Sequence, residues 1–191
     1  MAVSKTREQK KEQARKRHIK CLHQLYQNVP DELSIEEIKT YGRCLATDIF
    51  DLSARHPIFT GHESKASIKR RKKKDYKPTQ EHFYPRQFAG EFVIHHIQVY
   101  GDIRLPYFTR YIDIFRQVHY VTKEENQKLR YWQMPNRFTV PEYGYDQEGI
   151  ELVKVLDNAA ITHLDDVAPE KVLRHVYGNR YDEVNKYMLT R

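Results

Sequence analysis

The sequence predicts an α+β fold that is predominantly helical, with helical arms at both ends and a helical insertion near the middle. Three observations lead there. Two stretches open with capping-box spacing, Ser34 with Glu37 and Thr122 with Glu125, in which side chain and backbone satisfy each other at a helix start. Apolar residues recur at helical spacing through most of the chain. The β-prone stretches are few and short, chiefly "RQVHYV" at 116–121.

Taken in order, residues 4–29 read as a helix whose first half is almost wholly basic and whose apolar face starts at Ile19, Leu22, Leu25 and Tyr26. The second half docks on a core and the first projects as a basic arm. Residues 33–57 form a second helix with a buried face of Ile35, Ile38, Leu45, Ile49 and Leu52, stopped by Pro57. Six consecutive cations follow at Lys69, Arg70, Arg71, Lys72, Lys73 and Lys74; their mutual repulsion predicts a loop or disordered segment unless an anion neutralises it. Residues 86–101 and 105–115 are helices, the first ended by Gly101 and the second carrying Pro106 in its first turn. Residues 122–133 are a helix, 134–149 a loop-rich crossing, and the tail holds two or three short helices, one starting near Pro169 and the last near Asp182. This divides the chain into a helical N-terminal arm with basic loop (1–77), a core (78–133) and a helical C-terminal region (134–191).

The charge balance bounds the function. With 33 Lys and Arg against 26 Asp and Glu, the net charge is +7, which favours phosphate-rich partners. Two cysteines imply no disulfide framework, and the paired Cys-x-x-Cys spacing of a structural zinc site is missing. No apolar run approaches a membrane span, and the charged N-terminus is unlike a secretory signal, so a cytoplasmic protein with no membrane partner is expected. The absence of a coiled-coil pattern favours a monomer.

The chemistry is concentrated in "QEHFYPRQ" at 80–87 and "QVHYVTKEENQKL" at 117–129. The second reads as strand, N-cap, helix, with Asn126 in the first turn. A strand carrying Glu81 and His82 against that helix would set two oxygen donors beside a histidine. Mg²⁺ prefers few protein oxygens, several waters and a substrate phosphate. Histidine can take a proton from water near neutral pH. Arg86 and Arg116 flank the two pieces and could clamp a phosphate or form salt bridges to nearby acids.

These stretches resemble the HNH, or ββα-metal, nuclease motif, particularly that of phage and intron-linked HNH homing endonucleases. The resemblance covers about residues 78–132. It implies a small ββα-metal centre in which Glu81 and Asn126 bind Mg²⁺ or Mn²⁺ and His82 is the general base. It also implies double-stranded DNA as substrate and, if phage-encoded, the host cytoplasm as location. Three departures stand out. Glu81 replaces the usual Asp. The middle Asn that orients the histidine is missing, its place falling to Gln117, with His119 as the second candidate. A helical insertion of about 87–115 separates the two strands. The six-cation run and the helical arms would contact DNA. The alternatives are a basic nucleic-acid-binding protein without nuclease activity and an RNA-associated structural protein. Trp132 is expected in the core and one of His95 and His96 as a packing residue, while Tyr143 and Tyr145 either contact DNA or cover apolar surface.

Overall fold

The computed structural model describes residues 6–30, 32–134, 137–157 and 160–190. Helices dominate, at 61%, around a four-stranded mixed sheet. Chain order runs α1 (Arg7–Tyr26), α2 (Ile35–Arg55), β1 (Ile58–Ser64), α3 (Lys65–Arg70), β2 (Thr79–His82), α4 (Arg86–Tyr100) and α5 (Leu105–Phe115). It continues with β3 (Gln117–Val121), α6 (Lys123–Trp132), α7 (Pro141–Gln147), β4 (Leu152–Lys154), α8 (Glu170–Tyr177), a 3-10 turn (Gly178–Arg180) and α9 (Tyr181–Met188).

Sheet order is β2-β3-β1-β4, so β2 is an edge strand. β2 runs antiparallel to β3, β3 parallel to β1, and β1 antiparallel to β4. The insertion between β2 and β3 is α4 and α5, as the sequence indicates.

Two apolar clusters hold the elements. The larger joins α1, α2, α4 and α5 to the C-terminal helices through residues such as Leu45, Phe92, Tyr111 and Val184. The smaller lies where α6 and α7 cover the sheet, around Val121, Leu129, Tyr145 and Ile150. Burying each large apolar side chain contributes roughly 1.5–3 kcal/mol, which makes these clusters the main source of stability. Within the larger cluster α2 and α4 approach closely: a Cβ on Gly90 would lie 1.9 Å from the Gly42 carbonyl oxygen. Only glycine permits that separation.

Both expected capping boxes form, at Ser34–Glu37 and Thr122–Glu125. Gly101 ends α4 with a φ of 76°. The basic half of α1 is tied back by Arg15, which bonds Asp113 on α5 at 2.6 Å.

Four expectations need correction. The six-cation run is the end of α3 and a turn, because carboxylates meet two of its charges. Arg71 Nε bonds Glu63 at 2.8 Å, and Arg70 Nη1 bonds Glu124 at 2.7 Å. Ser64 caps α3 by accepting from Ser67 N, and Ser67 Oγ donates to Glu63. The crossing at 134–149 contains α7, whose Tyr145 is buried beneath the helix. Strands β1 and β4 fall where the sequence predicts no strand. Trp132 is only half-buried, with Nε1 bonded to Glu148 at 2.9 Å, whereas His96 is a buried packing residue bonded to Tyr111. No helix among the described residues is long and apolar enough to cross a membrane.

Candidate active site

Glu81 pairs across the ladder with His119, and His82 with Val118. Strand alternation sends Glu81 and His82 to opposite faces of β2. Because β2 is the edge strand, both side chains still reach one cleft that wraps the open edge. That cleft, of about 360 Å³, lies between α2 and α6. It is lined by Phe50 and Ser53 from α2, Gln80, Glu81 and His82 from β2, Arg86 at the start of α4, and Asn126, Arg130 and Gln133 from α6 and its C-cap. Glu81, His82 and Asn126, expected to converge, therefore share one cavity, and Arg86 joins them.

Glu81 is buried, and Gln133 Nε2 donates to its Oε1. Burial pushes the Glu81 carboxyl up to about 8, against the opposing pull of the Gln133 hydrogen bond and the Arg130 charge. A cation placed beside it would favour the carboxylate. His82 moves the other way: burial, and then the Arg86 charge, hold its imidazole below the usual histidine range. It is thus neutral and able to accept a proton at neutral pH. His82 Nε2 lies 2.8 Å from Ser53 Oγ, and its ring sits 5.2 Å from that of Phe50.

Arg86 is fixed at the mouth by α2. Its Nη2 donates to Thr47 Oγ1 at 2.8 Å, its Nε to the Ala46 carbonyl at 3.3 Å, and its guanidinium lies 4.6 Å from the Phe50 ring centroid. Asn126 stands in the first turn of α6, whose N-terminus is anchored twice by Glu125. That carboxylate accepts from Thr122 N at 2.8 Å and from Ser64 Oγ at 2.6 Å.

Three candidate residues lie elsewhere. Gln117 does not touch His82. Its amide bonds the Ile114 and Thr162 carbonyls and the Thr162 N–H, so it pins the 160–164 segment to the sheet. His119 does not take that role either. It is fully buried on the Glu81 face, with Nδ1 bonded to Thr60 Oγ1, Nε2 without a partner, and the ring pushed down to about 3 by burial. Arg116 is 3% exposed, bonded to the His56 carbonyl and to Asp113, and so is closed to a phosphate. The salt-bridge role is the one it takes.

Sequence reasoning missed Ser53, Arg130 and Gln133. Arg130 and Gln133 lie one and two helical turns beyond Asn126, on the same side of α6, so the helical period carried a signal for them. For Ser53, 29 residues from its partner, there was none.

Among the described residues, no group of three or more His, Cys, Asp or Glu is placed to hold a metal ion. The donors the cleft does offer are a carboxylate and an amide oxygen, with space for water, which fits a hard cation such as Mg²⁺. No family model matches the chain, and no curated protein or solved structure matches it.

Proposed function

We propose that this chain is a metal-dependent DNA endonuclease of HNH type that hydrolyses phosphodiester bonds. One observation supports the reading above the rest: Glu81, His82 and Asn126, drawn from a strand and a helix 44 residues downstream of His82 (126 − 82), line one cleft together with two arginines. In this reading Glu81 and Asn126 hold Mg²⁺ or Mn²⁺. The bound ion would stabilise the charge that develops on the phosphodiester and its leaving oxygen. His82, neutral in its half-buried place, takes the proton of the attacking water. Arg86 and Arg130 orient the scissile phosphate by charge-assisted hydrogen bonds. Recognition of a long duplex site by a monomer, as in a phage homing endonuclease working in the host cytoplasm, is the finer form of the proposal and rests on the sequence resemblance.

The test is cleavage of supercoiled plasmid with Mg²⁺ or Mn²⁺. Wild-type protein is expected to nick or cut only when metal is added. His82→Ala is expected to lose roughly 10² to 10⁴ in rate while binding DNA nearly as well. A variant that cuts at the wild-type rate removes His82 from catalysis.

The alternative is a basic nucleic-acid-binding protein without nuclease activity. The exposed Lys69, Lys72, Lys73 and Lys74 support it. DNA binding with no metal-dependent cleavage under any condition tried would favour it.

A further inference from the structure

His82 is gripped from an element that the sequence gives no reason to connect with it. Ser53 sits on α2, is 1% exposed, and makes its hydrogen bond to His82 Nε2 at 2.8 Å. No other hydrogen bond to His82 side-chain atoms forms among the described residues. Its Nδ1 is not among the buried atoms left without a partner, so this nitrogen keeps some exposure on a residue that lines the cleft.

A neutral imidazole carries one N–H and one lone pair, and the bond made by one nitrogen decides what the other presents. If the Ser53 hydroxyl donates to Nε2, then Nδ1 carries the hydrogen and offers the cleft a donor. If Nε2–H donates to Ser53 Oγ, the Nδ1 lone pair faces the cleft. Only the second arrangement makes a base. The first would suit Ser53 as a nucleophile, but its near-complete burial keeps Oγ from a phosphate in the cleft.

Ser53 is also held firmly. Its neighbour Leu52 is fully buried in the main core. The Gly42–Gly90 approach fixes α2 against α4, which starts at Arg86, four residues after His82. Arg86 in turn bonds back to Ala46 and Thr47 on α2. The distance between Ser53 and His82 is therefore set by core packing.

We propose that Ser53 is the positioning residue of this cleft: its Oγ accepts the Nε2–H of His82 and leaves the Nδ1 lone pair as the base. The choice of tautomer and the role of that lone pair rest on the nuclease reading; the Ser53–His82 bond itself does not.

Long-range ¹H–¹⁵N correlation spectra of the ¹⁵N-labelled, metal-free full chain report the tautomer directly. Wild-type protein is expected to show His82 protonated at Nε2, and Ser53→Ala a mixture of both tautomers. In single-turnover cleavage with Mn²⁺, Ser53→Ala is expected to lose about 10- to 100-fold in rate, the usual range for a supporting contact behind a site. Its half-saturating DNA concentration should stay the same, and Ser53→Thr, which keeps the hydroxyl, should recover most of the rate. An Nδ1–H tautomer in the wild-type protein overturns the proposal even if no variant folds. So does an unchanged tautomer in Ser53→Ala. Wild-type protein that shows the Nε2–H form but cleaves nothing retires the nuclease reading and upholds the assignment of Ser53.

Discussion

Glu81 concentrates the chemistry of the cleft in one carboxyl. Its folded pKa is raised to about 8 from an ordinary 4.5, chiefly by burial. In this interval the folded chain keeps a proton that the unfolded chain gives up, so stability falls as pH rises through it and levels off above the folded value. Melting temperatures of the metal-free protein should therefore decline across the window between those two values, and Glu81→Gln should flatten the decline. Added Mn²⁺ should restore stability at the alkaline end, since an ion binding the folded state shifts the equilibrium towards it. An equally steep decline in Glu81→Gln would assign the effect to another group. At this scale, the sequence was informative where the signal is local. "EH" and the Thr122 cap pointed to Glu81, His82 and Asn126 as neighbours, and the three line one cleft. It was uninformative where the partner is distant: the Ser53–His82 and Gln133–Glu81 bonds span 29 and 52 residues. Gln117 was placed at the site by its spacing from Thr122, yet it is buried and bonded to the backbone of Ile114 and Thr162, and of the two roles open to Arg116 the salt bridge, to Asp113, is the one it takes.

The elements show the same division. Helix starts were legible because a cap is written within four residues, as at Ser34 and Thr122. Strand β1 was not. Gly61, with a φ of 75°, interrupts its alternation, and its register with β3 slips between Phe59 and Glu63. Strand β4 is three residues long and is defined by its pairing with β1. The close crossing of α2 and α4 was equally invisible, because Gly42 and Gly90, which permit it, lie 48 residues apart (90 − 42). It carries a prediction. Gly90→Ala would drive its new methyl into the Gly42 carbonyl, at 1.9 Å from that oxygen. The helices must separate, at a cost of about 1–3 kcal/mol or more. Chemical denaturation should show that loss, with reduced cleavage as Ser53 draws away from His82. Full stability in Gly90→Ala would mean that the two helices cross with room for a methyl group.

Across the whole molecule, the +7 charge is less available than the sequence suggests. Within the basic run Arg70 and Arg71 are committed to Glu124 and Glu63, which leaves Lys69, Lys72, Lys73 and Lys74 exposed. Arg70 reaches α6 itself, so the run is joined to the helix that supplies Asn126 and Arg130 to the cleft. Replacing the four lysines with Ala should weaken binding to cognate-like and random duplexes by similar factors. The slope of log K against log salt should fall by up to about 0.9 for each phosphate that is no longer neutralised. An unchanged slope would mark the run as a solvated turn. Arg71→Ala should differ in kind, lowering stability because it strips the buried Glu63 of its cation.

The central claim is that Glu81 and Asn126 hold one catalytic divalent ion, and it is tested most directly by titrating Mn²⁺ against duplex cleavage for wild type, Glu81→Ala and Asn126→Ala. Each variant should require more metal for half-maximal activity, and Glu81→Ala, which removes the charged donor, should be affected more. An identical metal response in all three proteins, or cleavage that proceeds in excess chelator, would contradict it.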